Sequence, residues 1–199
     1  MDDFINSRTE LYASIRDVLA GRVTWSGYRP LTLIQRVLML RAFGLDQMLP
    51  YYIMMLTMHL ANVLLVYTLV MRAVGNAIWA FVVAAIMLLL PSHNEAVFWF
   101  AANASPLAFL FAVLALHASL SHIRNGGILA VVFAAVAYAA SVLSFEVTIV
   151  LPALILFADL LIAKDWKATR KRWPFYLTLA IVAIAMLALR FATPEGSLM

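Results

Sequence analysis

Pro91-Ser92-His93-Asn94-Glu95-Ala96-Val97-Phe98-Trp99 sets a histidine, an amide and a carboxylate between two strongly apolar runs. A charge at the centre of a bilayer costs on the order of 3 kcal/mol or more, so these groups are expected at a membrane surface. Phe98, Trp99 and Phe100 favour the headgroup level, which agrees with a short loop at one face. The stretch reads as the mouth of a site, with membrane-crossing helices on either side.

Outward from this loop the chain stays apolar. Of 199 residues, 65% are hydrophobic and only 12% charged, and the mean hydropathy is +0.96, more apolar surface than a soluble core of this size can hide. The expected fold class is an all-α integral membrane protein, a polytopic helical bundle forming one domain. Cysteine is absent, which excludes disulfides, thiolate chemistry and Cys-ligated metals. The net charge of +4 comes from clustered arginines and lysines; in a membrane protein such clusters report topology, and no nucleic-acid partner is expected.

Residues 1–45 read as an outer-face loop with an interfacial helix, and residues 46–199 as the transmembrane helical region. Met1 to Tyr28 lacks the apolar core of a signal peptide. It offers Ser7 or Thr9 as helix N-caps, and Leu11, Ile15 and Leu19 at the spacing of one apolar face. Pro30 suits a helix start, after which Leu31, Ile34, Val37, Leu38 and Phe43 alternate with Gln35, Arg36 and Arg41 in a two-faced, amphipathic pattern. Membrane spans are expected near 48–71, 76–90, 106–120, 127–143, 147–163 and 174–191, each judged against the roughly 20 helical residues that cross a hydrocarbon core. Several are short, so tilting or local thinning is expected, and Gly126-Gly127 and Pro174 mark turns.

Orientation follows from Lys164-Asp165-Trp166-Lys167-Ala168-Thr169-Arg170-Lys171-Arg172, the densest basic loop, which should be cytoplasmic. Alternation then places Arg72 and Arg124 on that side. The loop of His93 and Glu95, Glu146 and the tail from Ala192, together with residues 1–46, fall on the outer face. Arg8, Arg16, Arg22, Arg29, Arg36 and Arg41 argue against an outer position for the N-terminal segment. A span preceding Met1, or arginines kept outside to meet an anion such as a lipid phosphate, would reconcile the two. A short span that does not cross is a third solution.

Several groups can carry chemistry. Asp2 and Asp3 are adjacent carboxylates, one able to act as a general base and the other to hold a metal or orient an acceptor; a solvated acid pair is the simpler alternative. Tyr28-Arg29-Pro30-Leu31 puts a guanidinium at a helix start, suited to a phosphate or to snorkelling towards headgroups. His93 and Glu95 share a face on an extended segment and can hold a phosphate or a divalent cation such as Mg or Mn, although His-x-Glu is a sparse metal signal. Glu146 and Arg190 are placed to share a cavity at the outer face, as a functional pair or by mutual neutralisation. His59 and Asn62, with Thr57 and Tyr67, read as polar packing between helices, as do His117 and His122. Asp159 is expected to pair with Lys164 or to cap the basic loop. The sequon Asn103-Ala104-Ser105 is discounted because Pro106 follows it directly.

Taken in order, Asp2-Asp3, Tyr28-Arg29-Pro30-Leu31, His59-Leu60-Ala61-Asn62, the block from Pro91 to Trp99, Leu143-Ser144-Phe145-Glu146 and Leu189-Arg190-Phe191 resemble the membrane-embedded GT-C glycosyltransferases. The likeness is nearest to the branch of the tetratricopeptide-repeat O-mannosyltransferases and their bacterial relatives. It implies a multi-pass inner-membrane enzyme that moves a mannosyl or other hexosyl group from a polyprenyl-phosphate donor. The acceptor would be a glycan, lipid or protein on the periplasmic or exterior face, with membrane lipids as further partners. It also implies that Asp2 or Asp3 is the catalytic carboxylate, that Arg29 and Arg190 meet the phosphate, and that Tyr28, His93, Glu95 and Glu146 line the substrate site. Where relatives carry Gly-Arg-Ser-Asp and Ser-Lys-Glu, this chain has Ala101-Ala102-Asn103-Ala104-Ser105-Pro106 and Ser144-Phe145-Glu146. The expectation is the front portion of a longer enzyme. The alternative is a non-catalytic relative that binds the lipid carrier, or a transporter.

Overall fold

The computed structural model describes residues 14–22, 28–90, 102–163 and 166–192, and among them every regular element is helical. The helices are α1 (Ile15–Leu19), α2 (Pro30–Phe43), α3 (Leu49–Val74), α4 (Ala77–Leu89), α5 (Ala104–Asn125), α6 (Ile128–Ser144), α7 (Leu151–Ala163), α8 (Trp166–Lys171) and α9 (Trp173–Ala192), with a 3₁₀ turn (Glu146–Val150) leading into α7. Three are long and apolar enough to cross a membrane: α3, α5 and α9. With 13 residues, α4 extends only about 20 Å, short of the roughly 30 Å of a hydrocarbon core.

Local chemistry sets the ends of these helices. Pro30 opens α2, where a missing N–H costs nothing. Asn76 opens α4 with its Oδ1 accepting from the Ile78 and Trp79 amides at 2.9 and 3.2 Å. Gly75 closes α3 in the left-handed region at φ 74°, and Gly126 and Gly127 make the sharp turn between α5 and α6 at φ 69° and 98°.

The main core is built on small residues. Ala112, Ala115 and Ala118 of α5 face Ala134, Ala137, Tyr138 and Val142 of α6, with Leu151 and Ile155 of α7 and Phe175 and Leu179 of α9 closing the cluster. Alanine lets the α5 and α6 backbones approach closely, as helices do where dispersion rather than water drives packing. Met55 and Met58 of α3 pack on Leu107 of α5, and Val18 of α1 packs on Leu33 and Val37 of α2. Large apolar side chains also point outwards, among them Ile78, Trp79, Phe81, Phe133, Ile184 and Phe191. Only 11% of the apolar window of α9 is buried within the chain, so its other faces call for an apolar medium.

The chain alternates between two ends. Arg124 donates to the Ala73 carbonyl at 3.1 Å, so α3 and α5 finish together; the α5–α6 turn and the start of α9 share that end, where His122, Gly127, Lys171 and Arg172 border one groove. At the other end Thr32 of α2 donates to the Ser144 carbonyl at 2.8 Å. Arg72 and Arg124 thus share an end with the basic segment, and Glu146 lies at the opposite one.

One expectation for residues 14–46 is corrected. α2 does not divide into an apolar and a charged face, because Arg36 (3% exposed) and Thr32 turn inward with Leu33, Val37 and Leu40, while Leu38 and Phe43 are exposed. These inward positions fall three or four apart, so one stripe of the helix carries both kinds of side chain. In α1 Val18 is buried, while Ile15 and Leu19 on another face are exposed within the chain, and the Ser14 hydroxyl caps the helix by accepting from the Arg16 amide. Ser7, Thr9 and Leu11 lie outside the described residues.

Candidate functional site

Arg29 precedes Pro30, and the proline ring excludes the helical conformation from the residue before it. Arg29 accordingly takes φ −127° and ψ 64°. At the far end of α6 the chain leaves the helix at Phe145, which is extended (φ −158°, ψ 121°), and re-enters as the 3₁₀ turn that begins with Glu146. The two breaks meet. Arg29 Nε donates to Glu146 Oε2 at 2.8 Å and its Nη2 to Oε1 at 2.7 Å, a bidentate fork of matched planar groups. The same guanidinium lies 4.4 Å from the centre of the Phe145 ring, a cation–π contact.

Arg190, in the last turn of α9, brings its Nη1 to 3.0 Å from Glu146 Oε1. Two guanidinium groups around one carboxylate leave one net positive charge. All three side chains keep partial access to solvent, 21% for Arg29, 28% for Glu146 and 32% for Arg190. Burial alone pushes the Glu146 carboxyl up, but the contacts from Arg29, its own amide and Arg190 outweigh it, and the group is held down at about 2 against an ordinary 4.5.

Beside the cluster is a cavity of about 200 Å³ between α6, the 3₁₀ turn and α9. Tyr28, Glu146 and Arg190 supply its polar lining, and Val142, Leu143, Ile149, Met186 and Phe191 its apolar walls. Tyr28 is fixed by donating from its hydroxyl to the Leu19 carbonyl at 2.9 Å, and burial pushes its phenol up. One charged rim over an apolar slot suits an amphiphile with an anionic head.

Of the residues singled out in the sequence, the structure brings Tyr28, Arg29, Glu146 and Arg190 together. Asp2, Asp3, His93 and Glu95 lie outside the described residues, and among those described no group of three His, Asp or Glu side chains is placed to hold a metal. Asp159 meets the end of the basic loop: its partners are Arg172, whose Nη1 reaches both carboxylate oxygens at 2.9 and 2.8 Å, and the donating hydroxyl of Tyr176, while Lys164 lies outside the described residues. The chain returning into α9 thus meets the buried carboxylate of α7. His59 and Asn62 are buried packing, with Asn62 Nδ2 donating to the Pro106 carbonyl at 2.9 Å. Thr57 does not join them; it is exposed and donates to Ile53 of its own helix. His117 bridges α3 and α5 through Arg72 and the Leu65 carbonyl. Asn103 is fully buried and donates to Gln35 at 3.1 Å, which removes it as an acceptor for a glycan. Phe145 was not anticipated; its place directly before an acid at a helix break was the available signal.

No family model, no curated protein and no solved structure matches the chain, and what the site can do is read from its own chemistry.

Proposed function

We propose that this chain is a multi-pass membrane protein whose Tyr28–Arg29–Glu146–Arg190 site binds the phosphate of a lipid-linked sugar, as the front portion of a GT-C-type glycosyltransferase. One observation carries the reading: two arginines from distant parts of the chain converge on a single carboxylate at the rim of an apolar cavity. The net positive charge matches a phosphodiester monoanion, and the cavity accepts the first apolar segment of a polyprenyl chain. Glu146 orients both guanidinium groups before the ligand arrives, so less ordering is required on binding.

A carboxylate held near 2 by two cations is a poor proton acceptor at neutral pH, because a useful general base titrates near the working pH. Glu146 is therefore the positioning group, and Asp2 or Asp3 is the base that deprotonates the acceptor hydroxyl as the lipid phosphate leaves. Arg29 and Arg190 stabilise the charge that develops on that phosphate. The saturated state of Glu146 favours one second reading, a carrier-binding protein without transfer.

The test is native mass spectrometry of the full chain in detergent with undecaprenyl phosphate. Arg190→Gln should weaken retention about tenfold, the value of one charge-assisted hydrogen bond to a phosphate. Equal retention by the variant and the parent sinks the site. A double change, Asp2→Asn with Asp3→Asn, should keep binding and abolish transfer; binding with no transfer by the unaltered chain selects the carrier-binding reading.

A further inference from the structure

At the end of the bundle opposite Glu146, an open groove of about 540 Å³ runs between the α5–α6 turn and the start of α9. Phe175, Ile128 and Val131 form its apolar wall, His122, Lys171 and Arg172 stand around it, and no acidic side chain lines it among the described residues. We propose that this groove binds the phosphate headgroup of an anionic membrane phospholipid, with the acyl chains continuing along α6 and α9.

The cations are held for such a ligand. Asp159 takes only Nη1 of Arg172, and the remaining guanidinium edge makes no hydrogen bond among the described residues. Anchored by a fully buried carboxylate, this arginine cannot swing away. Lys171 is exposed at the end of α8 and has no carboxylate partner among the described residues. His122 is laid over Phe175 at 4.7 Å between ring centres, with Nδ1 3.3 Å from the Gly127 carbonyl, which leaves Nε2 as the edge for a headgroup. A basic pocket between helices at a membrane face is the arrangement that recognises phospholipid headgroups.

The occupant is a lipid rather than free phosphate for two reasons. Most of the groove is apolar, a surface that inorganic phosphate would leave wet and unused. Trp79, Trp166 and Trp173, which are 59%, 63% and 60% exposed, all belong to this end, and exposed tryptophan prefers the headgroup level. The inference rests on the membrane reading, but not on the Glu146 site or on transferase activity.

The full chain, reconstituted in vesicles of phosphatidylcholine and phosphatidylglycerol in equal amounts, is extracted and its retained lipid is identified by native mass spectrometry. Flotation with vesicles of phosphatidylcholine alone tests the membrane reading separately. Phosphatidylglycerol should be selectively retained, and Lys171→Gln should weaken it about fivefold, the value of one lysine at an anionic surface. Arg170→Gln, which removes the same charge from the neighbouring position outside the groove, should leave retention unchanged. Equal losses in the two variants would mean diffuse attraction to a basic surface and overturn the groove. Equal retention of the two lipids, or displacement of phosphatidylglycerol by excess inorganic phosphate, would overturn the lipid assignment.

Discussion

Glu146 and Asp159 are both held by arginine at opposite ends of the bundle, and they differ in burial and in reach. The Glu146 side chain is 28% exposed and meets Arg29 across 117 residues of sequence; Asp159 is fully buried and meets Arg172 only 13 residues on. A partly wet ion pair can rearrange around an incoming anion, because water compensates a guanidinium that lets go. A dry one cannot. Hence the Glu146 end is suited to ligand exchange, while the Asp159 end fastens α7 to α9 and presents a fixed arginine edge.

The largest expected effect is at the dry end. Arg172→Ala should lower stability by about 3 kcal/mol or more, because it leaves a buried carboxylate with one neutral donor and no charge partner among the described residues. Denaturant unfolding of the full chain in detergent measures it. Asp159→Asn combined with Arg172→Gln should recover much of the loss, since no buried charge remains to be compensated. A loss from Arg172→Ala smaller than that from the Glu146 variant below would reverse the comparison.

At the wet end Glu146→Gln should cost about 1 to 2 kcal/mol at neutral pH, reduced by the solvent that all three side chains retain. The pH dependence has a definite sign. The folded carboxyl lies at about 2, below its ordinary 4.5, so the folded state binds the proton less readily than the unfolded chain. The stabilisation is fully present above 4.5 and is lost as the pH falls from there towards about 2. Unfolding midpoints measured across that window should slope downwards on acidification in the parent and lose this component in Glu146→Gln. An unchanged slope would show that the Arg29–Glu146–Arg190 contacts do not persist in solution.

Much of the helical frame was legible, because apolar composition and helix ends are local properties. The expected spans near 48–71, 106–120 and 174–191 correspond to Leu49–Val74, Ala104–Asn125 and Trp173–Ala192, and Pro30 and Gly126-Gly127 stand where a start and a turn were read. The pairing of charges was less legible. Alternation of spans was enough to bring Arg29, Glu146 and Arg190 to one end, but not to set both arginines on one carboxylate, a contact that depends on the pre-proline bend and on Thr32 meeting Ser144. Lys164 stands five residues after Asp159 and Arg172 thirteen; only the return of the chain into α9 puts the arginine on the buried face. The two-faced pattern sets Arg36 on the polar side of α2, whereas packing turns it inward with Val37 and Leu40.

The smallest expected effect lies between the two ends, where α3 meets α5. Asn62 is 2% exposed, its Nδ2 donates to the Pro106 carbonyl at 2.9 Å, and its Oδ1 has no hydrogen-bond partner among the described residues. Near the start of α5 the Pro106 carbonyl already accepts from the helix ladder, so the asparagine contact on its second lone pair is a supplement between helices. Such interhelical hydrogen bonds average about 0.6 kcal/mol in apolar surroundings, and the unpaired Oδ1 opposes that gain with a desolvation cost of similar size. Asn62→Leu, close in volume, should therefore change stability by less than about 1 kcal/mol, and the same unfolding assay resolves it from the two ionic variants. A loss as large as that of Arg172→Ala would mean that the middle of the bundle, and not its ends, depends on polar contacts, because the buried amide would then be bound on both of its atoms.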